Sequence, residues 1–511
     1  MPHHRLVPTR SRGWCVFREL WWMGQQTARA STSVANGVAA AAADRSFRRG
    51  GRSARRGLIG PWDSSPPPGV SGYLDFSGAA RLQDVTADGW VLPLGRLVQP
   101  RGRWQGTVEI GLPPVEVNRH TIVVAPARSG KTAGVIAPWI AEAAWAGYRV
   151  VTVDVKGNDD LLREVLSYRD GCGHGAPLPV TRWNYCDPAR SASWNFIADL
   201  RGEGELNAVA EAVCGLPRDN DPNRNFHLRD LKWAKGLLQL GHDTGRPVTV
   251  RHLIDLLARP AALRNAVANL PRSQGAHRLA DLVAMSDSEI AQATQFLSTY
   301  FESLNVDRFL QVTDKPERGM DDLAGRPGGI TLIDAPLADG KLAETASALF
   351  LTMLIQRRLA TFGHGPPLLL VLDESPRLQN RINLGQVLAV AAGANVSVLL
   401  AAQDVGQFEK ERRDEILANC GTFVLLAGAG PESTDYAMRR LGTRIRSVRT
   451  ESHSWDRRTG QAITYGQSSE SVPVLGHNEL THPPAGQFGA TVLNQRLSAR
   501  PMLIDLARSG L

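Results

Sequence analysis

Short apolar runs that end in Gly or Asp alternate with helix-length segments from about residue 120 onwards. Apolar runs of this length predict buried strands, and helix-length connections between them are typical of a parallel sheet with crossover helices. The pattern therefore predicts an α/β core. The predicted strands are Thr121–Ala125, Arg149–Val153, Ile330–Asp334, Leu368–Asp373, Val396–Ala401 and Thr422–Ala427.

A stretch of about 175 residues separates the second of these strands from the third. Three segments within it, Leu228–Leu240, Val250–Ala258 and Ser288–Phe301, place apolar residues at the three- and four-residue spacing of an amphipathic helix. This stretch therefore predicts an all-helical domain inserted between strands of the α/β core.

The first 70 residues predict a disordered, low-complexity tail, because Ala, Arg, Pro and Gly dominate and little apolar surface is available for burial. Residues 1–60 hold eleven Arg, no Lys and two acidic residues, which gives this segment a charge of +9. Because the whole chain has a net charge of +8, residues 61–511 together carry a charge of only −1. One interpretation of the tail is an arm that binds phosphates. The other is a solvated leader, or a stretch that is translated in the sequence only because the start codon was assigned too early. Any other affinity for nucleic acid must come from local patches.

The composition argues against several classes of protein. Five scattered cysteines without a C-x-x-C pair do not fit a zinc site and indicate a reducing cytoplasm. Cys172 and His174, two residues apart, fit a Gly-rich loop better than a metal site. The first 30 residues lack the apolar run of a signal peptide, and no apolar stretch reaches the roughly 18 residues of a membrane helix. We therefore expect a cytoplasmic chain that does not span a bilayer.

The sequence APARSGKT follows the first predicted strand and precedes a helix-forming segment. This order is typical of a phosphate-binding loop, in which backbone amides surround the phosphates, Lys131 contacts the β- and γ-phosphate oxygens and Thr132 ligates magnesium. Ala125 stands where the first Gly of the motif is usual, and an ordinary strand-to-helix turn is the alternative interpretation. The predicted nucleotide-binding residues are Ala125, Ala127, Arg128, Ser129, Gly130, Lys131 and Thr132.

A second motif supplies the groups that hydrolysis requires. The apolar run Leu368–Leu372 predicts a buried strand that ends in Asp373 and Glu374. Asp373 would hold the magnesium ion through water, and Glu374 would act as general base towards the attacking water. An Asp-Glu pair also occurs by chance at strand ends, but the phosphate loop upstream favours the catalytic interpretation.

Gln403 follows the next predicted strand, at its carboxyl end. A neutral amide beside the catalytic strand can contact the γ-phosphate or its attacking water and thereby respond to hydrolysis. The alternative is a solvent-facing glutamine in a loop. We predict the first, so that Lys131, Glu374 and Gln403 form the catalytic set.

These motifs, in this order, resemble those of the TraG/TraD family of type IV coupling proteins, RecA-like ATPases that feed DNA and protein into conjugation and secretion channels. Further blocks that carry the resemblance are Tyr148–Asp160, Cys186–Leu200 and Glu415–Leu426. The resemblance covers about 120–200 and 330–500 well and the helical stretch weakly.

The resemblance implies a RecA-like P-loop NTPase core with a mostly parallel sheet, formed by residues 71–200 and 326–511, with the all-α domain at 201–325 after the tail at 1–70. It also implies ATP and Mg²⁺ as cofactors and a homo-hexameric ring. The partners it implies are DNA, expected to be single-stranded, a relaxase or other cargo protein, and the membrane channel components of a type IV secretion system. The all-α domain would face the cargo.

Two departures from the family change these expectations. The family usually begins with transmembrane helices, so we expect a partner to recruit this chain to the inner face of the membrane. Asn158 and Asp159 stand where the family more often has Glu, so Lys156 is carried over only as a supporting residue of the site, with an ordinary loop lysine as the alternative.

A third departure concerns an arginine that family members extend into the neighbouring subunit's site. Ala391 and Ala392 stand where that arginine is expected. An arginine finger contributes a factor of about 10³ or more in rate. Hydrolysis is therefore slow unless another arginine substitutes, and the candidates are Arg377, Arg381, Arg439 and Arg440.

The leading hypothesis is thus a motor that uses ATP hydrolysis to transfer DNA or cargo. A nucleotide-gated cargo receptor with little turnover is the second hypothesis, favoured by the missing arginine. A DNA translocase of the FtsK/HerA type is the third, but residues 472–493 resemble the C-terminal edge of the coupling family instead. The Arg-bearing segment before them, from Arg444 to Ser471, would contact phosphates or form a solvated hairpin face.

Overall fold

The computed structural model of the 511-residue chain describes residues 92–97, 108–171, 177–218, 221–456, 460–483, 489–497 and 500–506. The predicted tail at 1–70 and the pair Cys172 and His174 lie outside these ranges.

Two sheets are formed within the described residues. The strands are β1 Leu92–Leu97, β2 Val108–Leu112, β3 Thr121–Val124, β4 Arg149–Asp154, β5 Val180–Asn184, β6 Ile330–Asp334, β7 Leu368–Leu372, β8 Val396–Ala402, β9 Thr422–Leu426, β10 Thr443–Asp456, β11 Gly460–Pro473, β12 Gly489–Leu493 and β13 Met502–Asp505. Eleven of them make one sheet in the order β2-β1-β13-β12-β9-β3-β8-β7-β4-β6-β5, and β10 pairs with β11.

The helices lie on both faces of the large sheet and in the connection between β5 and β6. They are α1 Pro114–Val117, α2 Ala137–Trp145, α3 Asp160–Gly171, α4 Glu203–Cys214, α5 Arg224–Asp243, α6 Val250–Ala258, α7 Pro260–Asn269, α8 Gln274–Val283, α9 Asp287–Ala293, α10 Gln295–Glu302, α11 Asp307–Thr313, α12 Met320–Leu323, α13 Lys341–Ala360, α14 Leu384–Ala391, α15 Lys410–Ala418, α16 Pro431–Leu441 and α17 His477–Thr481. A turn of π-helix, Thr132–Ile136, leads into α2.

Seven neighbouring strands, from β9 to β5 in the sheet order, run parallel. All six strands predicted from the apolar runs are among them, with bounds that differ by at most one residue. The predicted α/β fold with a mostly parallel sheet is therefore confirmed. The seventh strand, β5, was missed because its sequence VTRWN contains no continuous apolar run, and its first three residues remain partly or fully exposed.

Four antiparallel strands, which sequence reasoning did not predict, extend the sheet beyond β9. β1 carries Pro93 and Gly95, two residues that are unfavourable inside a strand, and its pairing with β2 shifts between them. Gly95 has a φ of +147°, and a Cβ atom there would lie 2.3 Å from the carbonyl oxygen of Asp505. The glycine is thus required by the close approach of β13, which no local pattern reveals.

The helices α4–α12 all lie in the connection between β5 and β6, which here is called the helical insert. Helices cover all three segments whose spacing predicted them. The segment Ser288–Phe301, expected as one helix, is divided between α9 and α10 at Thr294, whose hydroxyl donates to the carbonyl of Ile290 at 2.8 Å.

Alternate residues of the parallel strands face two separate apolar cores. Ile122 and Leu370 belong to a core that α4, α5 and α13 complete, whereas Val123 and Val371 belong to one that α2 completes. Burial on both faces explains why these strands are continuous apolar runs rather than alternating patterns.

The paired strands β10 and β11 form a ribbon of 14 residues on each side. The described side chains of this ribbon are exposed or half-buried, as a solvated hairpin requires. Elsewhere in the described chain, no helix combines the length and the apolar character needed to cross a membrane.

Candidate active site

The loop that follows β3 has the geometry of an anion-binding turn. Arg128 and Gly130 both have positive φ angles, 62° and 88°, on either side of Ser129. The Ser129 hydroxyl donates to the carbonyl of Pro126 at 2.8 Å and closes the turn. Backbone amides that alternate in this way converge on a common point and favour an anion.

The loop is held at both ends. The amide of Ala125 donates to the carbonyl of Ala402 on the adjacent β8 at 3.0 Å, and the amide of Gly134 donates to the carbonyl of Gly130 at 2.7 Å in the first π-helical turn. Ala127 and Arg128 are exposed, whereas Lys131 is only 9% exposed. The lysine side chain is therefore turned into the protein while the loop faces solvent.

The acidic pair lies directly opposite this lysine. The Lys131 Nζ is 2.7 Å from Asp373 Oδ1 and 3.4 Å from Glu374 Oε1. All three side chains are at least 85% buried, so water screens the charges only weakly. The residues that the sequence predicted to share one magnesium-triphosphate thus lie together at the carboxyl edge of the sheet.

Glu374 adopts a left-handed backbone conformation, with φ 52° and ψ 40°. Such a conformation costs a non-glycine residue on the order of 1 kcal/mol or more and occurs preferentially at functional sites. It turns the chain sharply after β7, where the Ser375 hydroxyl donates to the carbonyl of Ala401 at 3.0 Å. The turn directs the Glu374 carboxylate towards the phosphate loop.

Gln403 follows β8 and joins the same group of side chains as Lys131 and Glu374. Because β8 lies between β3 and β7, its carboxyl end faces both the loop and the acidic pair. The Gln403 Nε2 donates to Glu374 Oε1 at 3.1 Å, the same oxygen that Lys131 contacts. One carboxylate oxygen is therefore shared by an amine and an amide.

The donor atoms suit Mg²⁺ with bound phosphates. Thr132 and Asp373 offer a hydroxyl and a carboxylate, the hard oxygen ligands that Mg²⁺ prefers. No cluster of three or more His, Cys, Asp or Glu side chains that could hold a metal occurs among the described residues. Mg²⁺ usually takes one or two protein carboxylates and completes its shell with water and phosphate oxygens.

The four arginines considered as substitutes for a trans-acting arginine differ in accessibility. Arg377 and Arg439 are exposed. Arg381 is only 9% exposed and donates to carbonyls of α4, and Arg440 donates to the carbonyls of Cys420 and Gly421 at 3.4 Å. The Arg381 side chain is thus bound within its own chain. Of the four candidates, the exposed Arg377 and Arg439 are the ones whose side chains are accessible to another subunit.

Lys156 lies after β4, and its side chain is exposed. Its backbone amide donates to Asp154 Oδ1 at 2.8 Å. The neighbouring Asp159 forms ion pairs with Arg182 at 2.7 Å and Arg190 at 3.3 Å. The hydrogen bond from Arg182, together with the charges of both arginines, lowers the pKa of Asp159.

Sequence reasoning missed a second pair of acids, Asp154 and Asp334, which end the adjacent strands β4 and β6 and face each other in the sheet register. Both are at least 97% buried. Burial, followed by the charge of Asp154, raises the pKa of Asp334 to about 7, although Arg182 opposes the shift from 3.9 Å. The signal was present, since each ends an apolar run just as Asp373 does.

Two family models match the chain. A model described as "Type IV secretory system Conjugative DNA transfer" matches residues 83–239, which include the phosphate loop. A model described as "TraM recognition site of TraD and TraG" matches residues 367–485, which include Asp373, Glu374 and Gln403.

Curated relatives and solved structures agree with these matches. The chain is 25% identical over 373 residues to the protein VirD4 of Rhizobium rhizogenes and 24% identical over 374 residues to the protein VirD4 of Agrobacterium fabrum. Each alignment covers 70% of this chain and 54% of the relative. The chain thus spans about half the length of the curated relatives it matches.

Among solved structures, the plasmid coupling protein TrwB in complex with a non-hydrolysable ATP analogue aligns with a TM-score of 0.61 at 16% identity, covering 85% of this chain and 92% of TrwB. TrwB in complex with ADP and Mg²⁺ aligns with a TM-score of 0.58 at 16% identity, covering 78% and 87%. At this identity the structures establish a shared fold.

Proposed function

We propose that this chain is a P-loop ATPase that couples ATP hydrolysis to the transfer of DNA or its bound cargo protein into a type IV secretion channel. The matches to the two family models and to VirD4 support its assignment to the TraG/TraD family of type IV coupling proteins. The observation that carries this proposal is the convergence of Lys131 on the carboxylates of Asp373 and Glu374, at 2.7 and 3.4 Å. The contact of Gln403 with Glu374 supports it.

Each residue has a distinct role in the proposed reaction. Backbone amides of the loop from Ala125 to Thr132 surround the β- and γ-phosphates, and Lys131 binds their oxygens. The Thr132 hydroxyl and, through water, the Asp373 carboxylate would hold Mg²⁺, which would neutralise charge that develops on the phosphate oxygens. Glu374 accepts a proton from the attacking water, and Gln403 orients it.

The proposed assembly is a homo-hexameric ring with DNA, a relaxase or another cargo protein, and channel components as partners. A neighbouring subunit would then supply the missing arginine, and the exposure of Arg377 and Arg439 supports these two candidates. Recruitment to the inner face of the membrane would depend on a channel component.

The test is ATP turnover by the purified full chain, with and without single-stranded and double-stranded DNA. We expect turnover that DNA stimulates. Lys131→Ala should abolish binding of ATP, whereas Glu374→Gln should keep binding and lower turnover by a factor of about 10² to 10⁴, the usual contribution of a general base.

The matched control is Lys410→Ala, which removes an exposed lysine at the start of α15, outside the proposed nucleotide site, and should leave ATP binding and turnover unchanged. Turnover that neither DNA nor Glu374→Gln affects would refute the motor. If ATP binding then still depended on Lys131, the nucleotide-gated receptor would be favoured, in agreement with Ala391 and Ala392 at the expected arginine position.

A further inference from the structure

The residues that follow Glu374, Ser375–Ile382, lead from the acidic pair towards α14 and are called the linker segment here. The segment begins beside the carboxylate that Lys131 and Gln403 share. A 3-10 helix, Ser375–Leu378, occupies its first half. The second half contacts two separate parts of the chain.

The first contact is with the loop after Gln403. Gln379, only 8% exposed, donates from Nε2 to the carbonyl of Gln407 at 3.0 Å and accepts the amide of Glu409 at 2.7 Å. Gln407 in turn accepts the amide of Gln403 through its own Oε1 at 3.0 Å. A chain of hydrogen bonds therefore joins the linker segment to the residue that contacts Glu374.

The second contact is with the helical insert. The Arg381 Nη1 donates to the carbonyls of Ala212 and Val213, at 2.9 and 2.5 Å, in the last turn of α4. The carbonyl of Asn380 accepts the amide of Leu216, just beyond this helix, at 2.8 Å. A buried guanidinium at a helix C-terminus satisfies carbonyls that have no partner within the helix and interacts favourably with the helix dipole.

We propose that Gln379 and Arg381 are positioning residues that link phosphate binding at Lys131 to the position of α4 and so to the helical insert. The inference rests on the proposed function. Phosphate oxygens compete with Glu374 for the Lys131 amine, and a change at Glu374 alters what Gln403 contacts. Gln379 ties the linker segment to the Gln403 loop, and Arg381 ties it to α4, so a shift at one end is carried to the other.

The test is amide hydrogen exchange across residues 203–216 in the full chain, with and without saturating non-hydrolysable ATP analogue and Mg²⁺. We expect the analogue to change exchange in this region. Arg381→Met and Gln379→Ala should each reduce that change by a factor of about 2 to 30, the range over which single residues affect coupling between sites. Arg381→Lys, which can still donate to both carbonyls, should restore most of it.

The matched control is Arg358→Met in α13. Arg358 is also buried and also donates to main-chain carbonyls, those of Pro366 at 2.9 Å and Ala394 at 3.4 Å, but these two hydrogen bonds go neither to the linker segment nor to the insert. It should keep the full response. Binding of a fluorescent ATP analogue is measured for every variant, so that exchange is compared at saturation.

A response that Arg381→Met leaves intact would overturn the inference. So would a wild-type chain that binds the analogue without a change in exchange at 203–216, and in that case the proposed ATPase would still stand. A wild-type chain that fails to bind the analogue at all would overturn the proposed function itself, which distinguishes the two failures.

Discussion

Replacement of Asp334 by Asn should have little effect on stability near pH 4 and should stabilise the chain increasingly as the pH rises towards neutrality and above. Asp334 is 1% exposed, and neither of its carboxylate oxygens accepts a hydrogen bond. Asp154 faces it across the sheet register, and Arg182, at 3.9 Å, is engaged more closely by Asp159 at 2.7 Å. Its ionised form is therefore poorly compensated, and its pKa in the folded chain is about 7.

The sign and size of the effect follow from proton linkage. The folded chain retains the Asp334 proton up to a pKa of about 7, whereas the unfolded chain loses it near the ordinary aspartate pKa of 3.8. The contribution of Asp334 to stability is thus complete below that lower pKa and is lost as the pH rises through the folded pKa. One pKa unit corresponds to about 1.4 kcal/mol, so the loss between mild acid and pH 8 is on the order of a few kcal/mol.

The assay is equilibrium urea unfolding of both forms at pH 4, 6 and 8. An asparagine cannot ionise, so the free energy of unfolding of Asp334→Asn relative to wild type should rise across this series. The control is Asp435→Asn on the exposed face of α16, which should follow the wild-type pH profile. A constant difference between Asp334→Asn and wild type from pH 4 to pH 8 would refute the reasoning.

Two further predictions concern packing. Arg357→Met should lower the free energy of unfolding by about 3–5 kcal/mol, because it removes the ion-pair partner of the buried Glu205 carboxylate, which lies 2.9 Å from Arg357 Nε. Urea unfolding measures this loss, and a value below about 1 kcal/mol would contradict the prediction. Gly275→Ala should cost about 1–3 kcal/mol by overpacking, since the new Cβ would lie 2.6 Å from the backbone nitrogen of Leu240. Gly393→Ala, where a Cβ would meet nothing within 4 Å, is its control in the same assay.

The sequence by itself determined the local parts of the site. APARSGKT between a strand and a helix predicted the loop, and an apolar run ending in Asp373 and Glu374 predicted the buried strand beside it. These features are readable because a phosphate loop and a two-sided buried strand each depend on neighbouring residues. The same property made the six apolar strands predictable within one residue of their bounds.

Only the tertiary structure decided how these parts meet. The sheet order places β8 between β3 and β7, which is why Gln403 reaches Glu374 at 3.1 Å. This order includes the pairing of β3 with β8, in which Thr121 lies opposite Leu399, and no local pattern encodes a pairing between residues so far apart in the sequence. For the same reason the antiparallel extension of the sheet was not predicted. The sequence also left Arg381 as a candidate for the arginine that enters a neighbouring subunit's site, whereas in the structure it caps α4 of its own chain.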